Sequence, residues 1–210
     1  MEFNIKYVNK SPVVWSDNFF TKEEINIIQA ECSRIRKLGL LSKDNTGPAK
    51  MDIKNAKTGE IKTKELKKNT AIFLEQLYQG DHRLSDTLTI CHSKVGDRSF
   101  IDYISGVHPY FITLKNRKYA AMLSYYDNSD NYEGHRDSAY VTVLTWFYEE
   151  PKQFKGGDFI IENDFKIECK RGRTVFMPSY LLHEVTPISM LKKNINKGLG
   201  RYTISQFIGY

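Results

Sequence analysis

Gly134-His135-Arg136-Asp137 sets a histidine and an aspartate two residues apart beside a β-prone run. In extended backbone, side chains two apart point the same way, so His135 and Asp137 can reach one cation together. An H-x-D triplet alone is a weak signal, because most such triplets are ordinary loop polarity. A third candidate ligand, His183, stands in Pro178-Ser179-Tyr180-Leu181-Leu182-His183-Glu184-Val185. The chain between them is long enough for several strands to bring it back to the first pair. Two imidazoles and one carboxylate on one side of a metal leave other coordination positions open, the ligand set of non-haem iron(II) oxygen chemistry. Catalytic zinc uses a similar set, so the residue types leave both metals open.

Arg201 begins the run Arg201-Tyr202-Thr203-Ile204-Ser205-Gln206-Phe207. Strand alternation places Arg201, Thr203, Ser205 and Phe207 on one face. An inward arginine is costly unless it is paired. A bound carboxylate would relieve that cost through a bidentate, charge-assisted contact. An exposed arginine on a surface strand is the equal alternative from this segment alone.

The elements that must position these groups divide the chain. Thr21-Lys22-Glu23-Glu24 has the form of a capping box, with Phe20 and Ile25 as a hydrophobic staple. Ile25, Ile28, Cys32 and Ile35 recur at helical spacing, which predicts an amphipathic helix from Lys22 to Lys37. Val13-Val14-Trp15 before it suggests a short strand. Residues 42–68 are polar, lysine-rich and weakly periodic, and are expected to form a surface excursion or mobile flap. Thr70–Tyr78 is ambiguous between strand and helix. Leu84 to Tyr110 carries helical segments, punctuated by Gly96 and Pro109. From Tyr119 onward the expected strands are Ala120–Tyr126, Tyr140–Tyr148, Asp158–Ile161, Thr174–Met177 and Arg201–Ile208. Helices first and short strands later, without repeat or linker, predict one domain over 1–210. Its helical N-terminal support covers about 1–118 and its β core about 119–210.

Composition sets the class. The 210 residues are 40% hydrophobic and 27% charged, as expected for a globular chain with a sizeable core. The net charge of +6 permits an acidic partner without demanding one. Three separated cysteines, Cys32, Cys91 and Cys169, give neither a disulfide framework nor a zinc pattern. A reducing, cytoplasmic setting is the expectation. The N-terminus lacks the apolar core of a signal peptide, and no apolar run is long enough to span a membrane.

Leu123 to Phe207 resembles the prolyl 4-hydroxylase-like branch of the 2-oxoglutarate/Fe(II) dioxygenases, on motifs that stand in order. Tyr126 through Asp137 is similar to that family's Y-x5-Y-x2-H-x-D. Thr142-Val143-Leu144, Gly156-Gly157-Asp158-Phe159, Gly172 through Ser179, His183-Glu184-Val185-Thr186-Pro187 and Arg201 through Ser205 follow. Asp17-Asn18-Phe19-Phe20 and the helix after it also resemble the family, whereas 40–118 matches only in outline.

The resemblance implies a mainly β fold with flanking helices (α+β), a distorted double-stranded β-helix or jelly roll with N-terminal helices packed outside. It implies Fe(II) on His135, Asp137 and His183 as the catalytic metal site. The implied cosubstrates are 2-oxoglutarate and O2, with ascorbate as a supporting reductant and succinate and CO2 as products. Tyr126 would hydrogen-bond 2-oxoglutarate, Arg201 would pair with its distal carboxylate, and Ser205 would line the same pocket. Thr142, Leu144 and Trp146 would face the cavity.

Two features depart from the family pattern. Trp146 stands where many relatives have a tyrosine near the distal carboxylate, and its indole N–H, which can only donate, still suits Trp146 to binding 2-oxoglutarate there. The longer gap before Arg201, with a loop at Met190–Lys197, leaves Lys197 as an alternative anchor. Asp137 fills the position that halogenating relatives leave open, which favours hydroxylation. A prolyl residue of a peptide or protein is the implied substrate, and a free amino acid or other small molecule the alternative. Nucleic acid is disfavoured, because Phe207 stands where the demethylase branch has a second arginine. An inactive jelly-roll binding module is disfavoured by the complete triad and Arg201. His82, His92 and His108 lie outside the matched region, and no activator of Cys169 is visible.

Overall fold

A computed structural model of the chain describes residues 2–46, 49–54, 58–116 and 118–209. In chain order, the first half comprises β1 (Asn4–Val8), β2 (Ser11–Ser16), α1 (Lys22–Lys37), β3 (Lys50–Lys54), β4 (Ile61–Glu65) and β5 (Thr70–Phe73), then α2 (Leu74–Leu77), α3 (Asp86–Val95) and α4 (Arg98–Val107). The second half is made of strands. They are β6 (Tyr119–Tyr126), β7 (Tyr132–His135), β8 (Val141–Phe147), β9 (Phe154–Gly156), β10 (Phe159–Ile161), β11 (Phe165–Ile167), β12 (Thr174–Pro178), β13 (His183–Val185), β14 (Ile188–Met190) and β15 (Arg201–Ile208).

A seven-stranded sheet runs β1-β2-β12-β8-β15-β6-β5, and a four-stranded sheet runs β11-β10-β13-β7. Both are antiparallel and neither closes on itself. Alternation divides the larger sheet into two faces. Val141, Val143, Phe147, Leu123, Tyr202, Ile204 and Ile208 pack on the helices together with Ile28, Ile35, Leu88 and Ile104. Leu144, Trp146, Val175 and Met177 pack on Phe159, Ile161, Ile167 and Val185 of the smaller sheet. This is a jelly roll with helices outside, as the resemblance implied, and the interior between its sheets is where inward residues of β15 and β8 must go.

Helix α1 starts as expected. Thr21 Oγ1 accepts from Glu24 N at 3.2 Å, and Glu24 Oε2 accepts from Thr21 N at 2.7 Å. Its buried Glu31 carboxylate accepts from Tyr78 Oη, Ser85 Oγ and Thr87 N, which satisfies a charge that would otherwise be costly to bury. The ambiguous 70–78 stretch is both things, strand β5 followed by α2.

The N-terminal half is more than helical support. It supplies both ends of the large sheet, β1-β2 on one side and β5 on the other, where a β core alone would leave strands unpaired. The 42–68 stretch is a surface excursion, but a regular one. β3 and β4 form a two-stranded antiparallel hairpin, with β4 exposed throughout. Residues 47, 48 and 55–57 of it lie outside the described residues. No helix among the described residues is long and apolar enough to cross a membrane.

Candidate active site

His135 ends β7 and His183 begins β13, and the two residues are register partners in the smaller sheet. Asp137 follows two residues after His135, where its backbone N–H donates to Ser179 O at 3.0 Å. One ligand atom from each of His135, Asp137 and His183 lies within 4.8 Å of the others, the only such group of metal-ligating side chains among the described residues. His135 Nε2 stands 3.7 Å from Asp137 Oδ1 and His183 Nε2 3.4 Å from Oδ2.

The other ring nitrogens are tied back. His135 Nδ1 lies 2.9 Å from Glu133 O, and His183 Nδ1 2.9 Å from Leu181 O. A carbonyl can only accept, so each Nδ1 carries the proton and each Nε2 presents a lone pair to the centre. Burial and the neighbouring His183 push the His135 pKa down to about 4, which keeps the ring neutral at ordinary pH. Burial opposes charge on Asp137, but contacts with His183, His135 and the Thr142 hydroxyl outweigh it and hold the carboxyl below its usual value. Two imidazole nitrogens and one carboxylate converging in this way fit a divalent cation.

The same cavity, about 230 Å³, is walled by Arg201, Thr203, Ser205 and Phe207 of β15, with Tyr126 and Leu144 beside them. Arg201 is 1% exposed. Its Nε and Nη1 have no hydrogen-bond partner, and no carboxylate among the described residues pairs with it. The guanidinium sits 4.9 Å from the Tyr126 ring centre and 5.4 Å from that of Trp146. These cation–π contacts offset part of the burial cost but leave the donors open. Thr203 Oγ1 and Trp146 Nε1 are also buried without partners. Burial raises the Tyr126 phenol to about 12, so it stays a neutral donor. Gly157, at φ +70°, makes room for the arginine, since a Cβ there would meet Arg201 Cδ at 3.1 Å.

Other sequence candidates separate cleanly. Trp146 flanks Arg201 without lining the cavity. Thr142 bonds Asp137, with its Oγ1 2.7 Å from Oδ2. Lys197 is exposed and outside the cavity, and the 190–197 insert is largely a short strand end and a 3-10 turn. His82, His92 and His108 lie away from the triad. Cys169 is buried, and burial raises its thiol pKa. The sequence assigns no role to two residues, although Tyr132 is the second tyrosine of the Y-x5-Y-x2-H-x-D motif. The Tyr132 ring stacks on His135 at 3.5 Å and 9°. Lys67, expected on a solvated lysine face, is instead 9% exposed and lines the cavity. A groove of about 680 Å³ leads outward past His135 and Asp137, between Leu66, Phe73, Phe207 and Arg136.

No family model matches the chain. A PKHD-type hydroxylase of Teredinibacter turnerae is 31% identical over 100 residues, which is 40% of this chain and 44% of that protein. Another, from Alteromonas mediterranea, is 26% identical over 124 residues, covering 52% and 51%. The chain thus spans about half the length of the curated relatives it matches. A Pseudomonas putida prolyl-4-hydroxylase superposes with a TM-score of 0.58 at 14% identity, over 94% of this chain and 91% of that one. A viral collagen prolyl hydroxylase of Paramecium Bursaria Chlorella virus-1, solved as a 2OG complex, gives 0.52 at 15% identity over 96% and 94%. At these identities the superpositions establish a shared fold.

Proposed function

We infer that this chain, which shares its fold with prolyl hydroxylases and resembles PKHD-type hydroxylases over part of its length, is an Fe(II)- and 2-oxoglutarate-dependent dioxygenase of the prolyl 4-hydroxylase-like kind. It hydroxylates an unactivated C–H bond, most consistently that of a prolyl residue in a peptide or protein. The observation that carries this reading is Arg201: a buried guanidinium with no carboxylate partner among the described residues and two open nitrogens, in the same small cavity as a two-histidine, one-carboxylate cluster. A metal-bound dicarboxylate such as 2-oxoglutarate would use the cluster at one end and that arginine at the other.

Fe(II) with 2-oxoglutarate would activate O2, the oxidant, one oxygen atom going to the substrate C–H bond and the other to succinate as CO2 is lost. The chain's own residues bind, orient and exclude. His135, Asp137 and His183 hold the metal, their imidazoles locked by Glu133 and Leu181 carbonyls. The Arg201 fork meets the distal carboxylate, replacing its lost water contacts, and the Tyr126 hydroxyl donates beside it. Leu144, Phe159 and Val185 keep water from the rest of the cavity. The prolyl substrate is supported by the family resemblance and by the apolar floor of the outer groove, on which a pyrrolidine ring would pack. Free amino acids and other small molecules are the alternative.

The test is succinate release by the Fe(II)-loaded protein, with a peptide array scored by the mass gain of one oxygen. Arg201→Ala should raise the KM for 2-oxoglutarate roughly 30- to 5000-fold, the loss of one partner in a buried charged pair, with metal affinity nearly intact. Lys197→Ala should change neither. No 2-oxoglutarate turnover under any substrate, with metal bound, sinks the reading.

A further inference from the structure

Lys67 follows the β3–β4 hairpin and turns into the cavity between the sheets. Its backbone is fixed there: Lys67 bridges Tyr132, Glu133 N donates to Leu66 O at 2.8 Å, and Lys68 N donates to Asn131 O at 3.1 Å. That pairing fixes the backbone from which the Lys67 side chain enters the cavity. The ammonium touches the Thr46 hydroxyl, and no carboxylate among the described residues pairs with it. A hydroxyl does not neutralise a charge, and a buried cation without a counter-ion is unfavourable.

Charge in the cavity is unbalanced in the same sense. Among the described residues that line it, Asp137 is the one carboxylate, against the cations Arg201 and Lys67. A divalent metal and a 2-oxoglutarate dianion cancel one another, so one positive charge is left over. The two cations are also differently placed. Arg201 lies by Tyr126 and Gly157. Lys67 is paired to Tyr132, whose ring stacks on the metal-ligand candidate His135.

We propose that Lys67 is a second carboxylate anchor of the cavity, placed at the metal end as Arg201 is at the far end. The proposal rests on the oxygenase reading and adds a residue to it. Two carboxylates have the required chemistry: the metal-side carboxylate of 2-oxoglutarate, or the free carboxylate of a substrate that is an amino acid or ends in proline.

Calorimetric titrations of the Zn(II)-loaded protein, which cannot turn over, test it with four probes: 2-oxoglutarate, oxalate, Gly-Pro and its C-terminal amide. Lys67→Met removes the charge and keeps the chain length. The ligand-free variant should melt no lower than the wild type, since an unfavourable buried charge is gone, whereas a merely structural lysine would melt lower. Carboxylate affinity should fall roughly 10- to 100-fold, the worth of a hydrogen bond to a charged group, and Lys67→Arg should retain most of it. A loss confined to 2-oxoglutarate and oxalate assigns the anchor to the cosubstrate. A lost preference for Gly-Pro over its amide assigns it to the substrate. If no carboxylate binding depends on Lys67, the proposal is overturned and the oxygenase reading stands. If the wild type fails to bind 2-oxoglutarate, that reading falls, and oxalate and Gly-Pro alone decide the role of Lys67.

Discussion

Thr142 Oγ1 lies 2.7 Å from Asp137 Oδ2 and 2.8 Å from Ser179 Oγ. An ionised carboxylate can only accept, so the Thr142 hydroxyl donates to Asp137 and takes its own hydrogen bond from Ser179. The larger sheet, through β8, thereby orients a candidate metal ligand whose two histidine partners belong to the smaller one. Thr142→Val keeps the side-chain shape and removes the donor. Metal affinity should fall about 10- to 100-fold, measured by competition with a chromophoric chelator. Unchanged affinity would mean that Asp137 is oriented by its backbone alone.

Gly157 is the second point of control. Its φ of +70° is left-handed, and an added Cβ would crowd Arg201 Cδ at 3.1 Å and Ile188 Cδ1 at 3.2 Å. Gly157→Ala should cost about 1–2 kcal/mol from backbone strain and raise the KM for 2-oxoglutarate through the displaced arginine. A variant that loses stability but keeps the wild-type KM would show that Arg201 tolerates the shift.

The hairpin should act on the substrate and not on the cosubstrate. Ala49, Lys50 and Leu66 at its base border the outer groove, and Lys64 Nζ holds Glu133 at 2.6 Å. Replacing residues 51–64 with a short turn should raise the substrate KM roughly tenfold, about 1.4 kcal/mol. The KM for 2-oxoglutarate should stay within error. Equal substrate KM in both proteins would reduce the hairpin to surface.

His92 gives a pH signature of folding that is independent of catalysis. Burial pushes its pKa down from 6.5 to about 4, and its Nε2 is buried without a partner. Between those values the unfolded chain binds the proton and the folded chain does not. Stability is therefore present above the unfolded pKa and falls as pH drops toward about 4. His92→Gln should make the decline of Tm from pH 6.5 to 4 shallower in metal-free protein. Parallel curves would show that His92 protonates without opening the fold.

What could be seen in the sequence was local or ordered. The capping box and 3–4 spacing of α1 depend on neighbours in the chain. The alternation that puts Arg201, Thr203, Ser205 and Phe207 on one face depends only on strand geometry. The H-x-D spacing and a later histidine suggested a ligand set, and the order of the motifs suggested the jelly roll. Strands β7 and β13, which carry both histidines, are too short for periodicity to reveal.

Burial and partnership depend on chain segments far apart in sequence, and there the tertiary structure alone decides. Nothing in a lysine-rich stretch marks Lys67 from Lys64. One is buried because residues 66–68 pair with β7, and the other is half-exposed on the hairpin. Nor does alternation say whether a buried Arg201 finds a carboxylate from elsewhere in the chain. It finds two aromatic rings instead, and the open donors that result are what point to an anionic ligand. Sequence by itself determined which groups could do the chemistry. The fold determined which charges it left without counter-ions, because desolvation belongs to the assembled cavity and not to any one segment.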